Sequence, residues 1–128
     1  MRVDGQEIDI SSKVQYKGVM LSSIPNFFVA SGYTNASWTL KCDLTSNYVC
    51  RLIKYCDSKG YQICMPRDIG DSEKQVMSVG LTSGYILRSI NKFPKEGLRS
   101  PWKLRQNYFL DLIGLRFAAL KNSKMFFS

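Results

Sequence analysis

The chain has 128 residues, 45% of them hydrophobic, and carries a formal net charge of +8 at pH 7. This size and composition suit one domain with an apolar core and argue against a disordered chain. The sequence contains no run near the ~20 apolar residues of a membrane span and no apolar signal region at its start, so we expect a cytoplasmic protein.

The amino-terminal part of the sequence predicts a hairpin followed by a buried strand. Residues 3–21 read as two short extended runs, with turns at Gly5 and at residues 11–13. Residues 27–30, Phe-Phe-Val-Ala, form a short apolar run bounded by turn residues. Such a run is typical of a strand buried on both faces of a sheet.

A long amphipathic helix is predicted next, over residues 37–58. Ser37 is a candidate N-cap, and Gly60 is expected to stop the helix. Spacings of mainly three and four residues define its apolar face, which consists of Trp38, Leu44, Tyr48, Val49, Leu52, Ile53 and Cys56.

The rest of the chain predicts short extended segments, loops and one further helix. Residues 61–65 read as extended, 67–80 as a polar loop, and 84–90 as a short helix or strand. Irregular structure is expected over 94–101, which contains two prolines, and a last helix over 102–120. The fold class expected from these elements is α+β, with an amino-terminal hairpin, one buried strand and two main helices in a single region, 1–128.

The cysteine pattern gives no support for a metal site. Cys42, Cys50, Cys56 and Cys64 include no C-x-x-C pair, and the chain has no histidine. Zinc ligands usually come in closely spaced pairs, so we interpret all four as reduced packing thiols.

The residues by themselves offer little catalytic chemistry. Histidine, the commonest general base, is absent, and the acidic residues form no pair with helical spacing. Dinucleotide binding requires a strand, a turn such as G-x-G-x-x-G and a helix, and the sequence contains no such turn. No complete dinucleotide-binding domain is therefore expected. The strand, glycine and helix start within 27–37 still place backbone N–H groups where an anion could bind.

Several blocks of sequence resemble a known enzyme family over nearly the whole chain. They are Tyr-Lys-Gly-Val-Met-Leu-Ser-Ser-Ile-Pro-Asn at 16–26, Gly-Tyr-Thr-Asn-Ala-Ser-Trp-Thr-Leu-Lys at 32–41, Asp-Leu at 43–44, Tyr-Val-Cys-Arg-Leu at 48–52, Thr-Ser-Gly-Tyr-Ile-Leu-Arg-Ser at 82–89, Pro-Trp at 101–102 and Gln-Asn-Tyr at 106–108. In this order they are similar to the carboxyl-terminal part of bacterial flavin-containing monooxygenases of the Baeyer-Villiger type, the ethionamide-monooxygenase-like group.

That resemblance implies an α/β parent enzyme with two Rossmann-type domains that bind FAD and NADPH and oxygenate ketones, sulfides or amines. It also implies that residues 26–30 form a late strand of the FAD domain and that 32–38 pass close to the flavin ring. The cofactor-binding candidates, as backbone donors first, are Gly32, Tyr33, Thr34, Asn35 and Ser37.

The chain departs from the family pattern because both glycine-rich motifs and the F-x-G-x-x-x-H-x-x-x-W-P fingerprint are missing. We therefore expect a carboxyl-terminal fragment that binds no cofactor and is inactive alone. It would depend on a separate chain carrying the Rossmann domains, or self-associate through an exposed apolar face. The residues expected on that face are Phe27, Phe28, Trp38, Leu44 and Leu52.

An alternative hypothesis is a small basic module that binds nucleic acid. Tyr33, Trp38, Trp102 and Tyr108 would stack on bases beside lysine and arginine side chains. The basic residues are spread along the chain without a dense run, which favours a solvated basic surface. Trp38 and Tyr108 also fall on predicted apolar helix faces, so core packing is the preferred interpretation and nucleic acid is not expected as a partner.

Overall fold

A computed structural model describes residues 1–33, 36–70, 74–75 and 84–128. Within these ranges the chain forms helices and two-stranded antiparallel sheets, consistent with a mixed α and β architecture. Most of the predicted loop over 67–80 lies outside the described residues, apart from 67–70 and a short strand at 74–75.

Two tight hairpins begin the chain, where the sequence predicts one hairpin with turns at Gly5 and at residues 11–13. Strands β1 (Arg2–Val3) and β2 (Gln6–Glu7) are joined by Asp4 and Gly5, whose φ angles are 49° and 81°. Positive φ at both central residues is the requirement of a type I′ turn, and glycine meets it without steric cost. Strands β3 (Gln15–Tyr16) and β4 (Met20–Leu21) pair in the same antiparallel sense.

The prediction of a buried strand over residues 27–30 is wrong. Phe27 and Phe28 are only half-buried, Val29 and Ala30 are exposed, and a single bridge joins Phe28 to Met20. The preceding Asn26 ties the start of this segment to Cys64, because the Asn26 side-chain carbonyl accepts a hydrogen bond from the Cys64 N–H at 2.9 Å. An apolar run shows that burial would be favourable but does not supply strands on both sides to cover it.

The long helix is confirmed at both ends. Helix α1 spans Trp38–Lys59, with Ser37 at the N-cap position and Gly60 in the left-handed conformation that ends it. Its apolar face differs from the prediction at two positions. Trp38 and Ile53 are 61% and 49% exposed, whereas the buried positions of the helix are Lys41, Leu44, Thr45, Tyr48 and Leu52.

The last helix is half the predicted length. Residues 102–106 form a turn and an extended segment, and helix α3 begins at Tyr108 (Tyr108–Asp111) and continues as a π-helix over Leu112–Phe117. Asn107 explains the later start, because its side chain accepts hydrogen bonds from the N–H groups of Phe109 and Leu110 at 3.0 and 3.2 Å.

Two short antiparallel strand pairs and one short helix complete the strands and α-helices of the described structure. Strand β5 (Cys64–Pro66) overlaps the predicted extended segment 61–65 and continues through Pro66. It pairs with β8 (Met125–Phe127), which the sequence did not predict. Strand β6 (Lys74–Gln75) pairs with β7 (Glu96–Gly97), inside the predicted irregular connection. Of the two alternatives for residues 84–90, the helix is the one found, as α2 (Gly84–Ser89).

The core lies between the second hairpin, α1 and the carboxyl-terminal segments. The Tyr16 and Trp102 rings meet edge to face with centroids 5.5 Å apart, and the Asn122 amide donates to the Tyr16 hydroxyl at 2.9 Å. Eleven buried residues make up the cluster: Val14, Tyr16, Val19, Met20, Leu44, Tyr48, Leu52, Cys64, Trp102, Leu115 and Met125.

The cysteines are all free thiols, and only Cys64 is fully buried, so packing is a role for some of them and not for the exposed Cys50. No helix in the described part of the chain is both long and apolar enough to cross a membrane.

Gly97 packs so closely against Trp102 that a methyl group has no room. Its N–H donates to the Trp102 carbonyl at 2.9 Å, and a Cβ at this position would lie 2.5 Å from the Trp102 Cβ. We predict that Gly97→Ala lowers the free energy of unfolding by about 1–3 kcal/mol in urea titrations, because the overpacked turn must shift.

Gly114 provides the control for this substitution. A Cβ there meets nothing within 4 Å, so Gly114→Ala should raise the free energy of unfolding by up to about 1 kcal/mol through helix propensity alone. Equal effects of the two substitutions would contradict the assigned packing of Gly97.

Candidate functional site

The residues proposed to lie near a flavin fall into three structural situations. Thr34 and Asn35 lie outside the described residues. Gly32 is half-buried, Tyr33 is buried and Ser37 is exposed at the start of α1. The segment therefore combines a buried anchor with a surface-exposed helix end.

Gly32 lies against the indole of Trp38. A Cβ added at Gly32 would approach the Trp38 Cδ2 to 2.2 Å, so only glycine allows the ring to fold back over this stretch of backbone. The contact explains the glycine without invoking a ligand. It also fixes the position of Trp38, which keeps 61% of its surface exposed.

Tyr33 is anchored by a buried ion pair. Its hydroxyl donates to Asp111 Oδ2 at 2.6 Å, and the Lys41 ammonium donates to the same oxygen at 2.7 Å. The Lys41 Nζ also lies 5.5 Å from the centroid of the Tyr33 ring, within the range of a cation–π contact. All three side chains are buried, so these interactions form in an environment where charges are weakly screened.

Tyr33, Lys41 and Asp111, together called the anchor, come from parts of the chain that are distant in sequence. Lys41 is on α1, Asp111 is at the end of α3, and Tyr33 lies in the segment that leads into α1. Together they fix the carboxyl-terminal helix against the start of the long helix and hold the segment between 31 and 33 in place.

Lys41 and Asp111 were not predicted as site residues, although each occupies a helix position whose spacing from apolar residues indicates burial. Lys41 stands one helical turn before Leu44 and Thr45 on the buried face of α1, and Asp111 stands four residues before the buried Leu115. A charged residue at a core position of each of two helices predicts a buried ion pair between them.

Nearby basic side chains satisfy carbonyl groups at the end of the last helix. The Lys17 Nζ donates to the Gly114 carbonyl at 2.9 Å, and the Arg51 guanidinium donates to the Leu115 and Ala118 carbonyls at 2.6 and 3.0 Å. Burial lowers the pKa of Lys17, and the positive charges of Arg51 and Arg105 lower it further. Part of the basic charge is thus structural and is not a solvated surface.

The aromatic residues proposed to stack on nucleic acid do not form an exposed platform. Tyr33 and Trp102 are each 2% exposed, and Tyr108 is half-buried. Trp38 alone of the four presents most of its ring to solvent. The arrangement therefore gives no support to base stacking by these four side chains.

The chemistry available at the site is electrostatic. In residues 1–33, 36–70, 74–75 and 84–128, no group of three or more His, Cys, Asp or Glu side chains is placed to hold a metal ion. The Ser37 hydroxyl pairs with Thr39 Oγ1 at 2.7 Å and makes no side-chain capping hydrogen bond to α1. The exposed start of a 22-residue helix would stabilise an adjacent negative charge by about 0.3–1 kcal/mol.

Known proteins similar to this chain share one described function. FAD-containing monooxygenase EthA of Mycolicibacterium smegmatis is 41% identical over 125 residues, which cover 98% of this chain and 25% of that protein. EthA of Mycobacterium tuberculosis is 45% identical over 126 residues, covering 91% of this chain and 26% of that protein. The probable FAD-binding monooxygenase AlmA of Acinetobacter baylyi is 41% identical over 126 residues, 98% of this chain and 25% of that protein.

The chain is homologous to the carboxyl-terminal part of the FAD-containing monooxygenases EthA and AlmA. It spans about a quarter of the length of the curated relatives it matches. No protein-family model matches the chain, and no solved structure matches it.

Loss of either charge in the anchor should destabilise the fold. We predict that Asp111→Asn or Lys41→Met lowers the free energy of unfolding by about 3–5 kcal/mol, because each leaves a buried partner unpaired. Tyr33→Phe should cost about 1.5–3 kcal/mol, since it removes one hydrogen bond to a charged group. Urea unfolding followed by circular dichroism measures all three.

Lys54→Met is the matched control, because Lys54 is exposed on the same helix, and it should change stability by less than about 0.5 kcal/mol. An effect of Asp111→Asn no larger than that of Lys54→Met would show that the anchor does not hold the helices together.

Alkaline pH should weaken the same anchor. Burial raises the pKa of Tyr33 above its ordinary value of 10.0, and the hydrogen bond to Asp111 raises it further because a phenolate would face a carboxylate. The folded state thus retains a proton that the unfolded chain loses, so the free energy of unfolding should fall as the pH rises above about 10.

The pH dependence can be assigned to Tyr33 by comparing the wild-type chain with Tyr33→Phe, which should show a shallower decline in stability above pH ~10. Burial also raises the pKa of Tyr16 and Tyr48, while the depressed pKa of Lys17 acts in the opposite direction, and these contributions are common to both proteins. Identical slopes would contradict the burial of a protonated Tyr33.

Proposed function

We propose that this chain is the carboxyl-terminal segment of an FAD- and NADPH-dependent monooxygenase of the Baeyer-Villiger type, which oxygenates ketones, sulfides or amines. The observation that carries the proposal is the 41–45% identity to FAD-containing monooxygenases over 91–98% of the chain. The aligned length covers nearly the whole chain, so the similarity does not rest on one short motif.

The chain does not supply the dinucleotide sites of such an enzyme. It contains no glycine-rich strand-turn-helix motif, and only such a turn lets the backbone approach a pyrophosphate closely. In the proposed enzyme a region carrying the two Rossmann-type domains binds FAD and NADPH. The flavin supplies the oxygenation chemistry, and the isolated chain is inactive.

The part played by this chain is to position the start of α1 next to the flavin. The ion pair of Lys41 and Asp111 holds Tyr33, and the Trp38 ring covers Gly32, so both residues have fixed positions next to the start of α1. The Tyr33 hydroxyl is engaged by Asp111 and contributes through this anchor. Backbone N–H groups between Gly32 and Ser37, those of Thr34 and Asn35 included, remain the proposed donors to the flavin.

Flavin titration tests this assignment. Adding the purified chain alone to FAD should leave the flavin fluorescence unchanged. Adding it together with the separately expressed amino-terminal region of the M. smegmatis relative should quench the fluorescence and support NADPH oxidation with a ketone or sulfide substrate.

Each alternative result has a definite meaning. Binding of FAD by the chain alone would show that it contains a cofactor site of its own. Failure of the mixture to bind FAD would count against the assignment of this chain to a working monooxygenase. In the mixture, Asp111→Asn should weaken FAD binding relative to Lys54→Met, because only the first disturbs the hydrogen bond that holds Tyr33 next to the proposed donors.

A further inference from the structure

The last helix carries an apolar stripe that nothing in the described structure covers. Phe109, Ile113 and Phe117 recur at every fourth residue and are 73%, 60% and 71% exposed. We call these three residues the terminal-helix stripe. Leu110, on the same helix, is a further 46% exposed. Side chains spaced by four lie on one side of a helix and are close enough to form a continuous surface.

The opposite side of this helix already faces the core. Asp111 and Leu115 are 6% and 1% exposed, and each is offset by two residues from a member of the stripe. Two residues correspond to about half a turn in the α-helical and π-helical parts alike, so the stripe points away from Asp111 and the core. The helix thus has a buried side, which contains Leu115 and the ion-paired Asp111, and an exposed apolar side, a combination suited to a helix buried between two layers.

The composition of the stripe favours an apolar protein partner. Two phenylalanines and an isoleucine present no charge, and a soluble monomer rarely leaves such a surface uncovered. A second copy of the chain is disfavoured because each copy carries a net charge of +8, and the two would repel.

The relatives indicate where a partner comes from. This chain matches 25–26% of the length of the EthA proteins, so about three quarters of each relative must pack against, or near, the part that corresponds to this chain. An enzyme of that size buries the contacts between its domains, and the terminal-helix stripe is an exposed apolar helical face suited to such a contact.

We propose that the terminal-helix stripe is the docking surface for the cofactor-binding region, the part that makes up the amino-terminal three quarters of the relatives. This inference rests on the proposed function for the identity of the partner, whereas the stripe itself is a feature of the structure. In the assembled enzyme Phe109, Ile113 and Phe117 become buried, and α3 with its π-helical continuation lies between two layers.

Hydroxyl-radical footprinting with mass spectrometry tests the docking. This chain replaces the carboxyl-terminal quarter of the M. smegmatis relative in a chimera, and side-chain oxidation rates are compared with those of the chain alone. The rates of Phe109, Ile113 and Phe117 should fall several-fold in the chimera. Ile53, 49% exposed on α1, is the matched control, and its rate should stay the same.

If the chimera does not fold, the same docking can be tested with two separate chains. The chain is footprinted with and without the separately expressed amino-terminal region, and Ile113→Ser is compared with Ile53→Ser. Ile113→Ser should weaken the association by about tenfold or more, in line with the loss of a buried isoleucine at an interface, while Ile53→Ser should not.

Two outcomes would overturn the proposal. Unchanged reactivity of the stripe in both formats would show that the cofactor-binding region does not cover it. Protection in the chain alone that increases with its concentration would assign the stripe to a second copy. Flavin content measured on the same chimera separates the two proposals, since a protected stripe without bound FAD supports docking and argues against the cofactor assignment.

Discussion

The ion pair between Lys41 and Asp111 joins two helices whose paired residues are 70 positions apart in the sequence. Removing two charges from water is costly, and their attraction offsets that cost only when the geometry is good and further hydrogen bonds are made. Tyr33 provides the further hydrogen bond, from a position 78 residues away from Asp111. The relative placement of α1, α3 and the segment before α1 thus depends on one carboxylate oxygen.

The same constraint connects the core to the proposed flavin side of the molecule. Asp111 and Leu115 lie on one face of the last helix, so the ion pair and the apolar core fix that helix together. Lys17 and Arg51 then satisfy its last carbonyl groups. The start of α1 receives its position from this arrangement, which is why a change at Asp111 is expected to reach the segment before α1 through its hydrogen bond with Tyr33.

The sequence predicted those elements whose ends carry their own signals. Ser37 and Gly60 bound α1 correctly, and the Asp4–Gly5 pair accounts for the first hairpin. The last helix was placed too early because apolar spacing from Trp102 onward outweighed Asn107, although a capping asparagine is the stronger boundary signal. Within the site, Tyr33 was identified but its partners were not, because the apolar spacing of each helix was interpreted without the charged residue that shares its buried face, and the two residues are 70 positions apart in the sequence.

Which apolar residues remain exposed could not be predicted from hydrophobicity alone. Leu44 and Leu52, expected on an uncovered face, are buried at 2% and 0% within the chain's own core, whereas Trp38 is exposed as expected. The chain therefore closes its core without a second region. The proposed docking adds a layer over the last helix and does not complete an unfinished interior. Folding of this segment and its docking would then be separable steps that depend on different side chains.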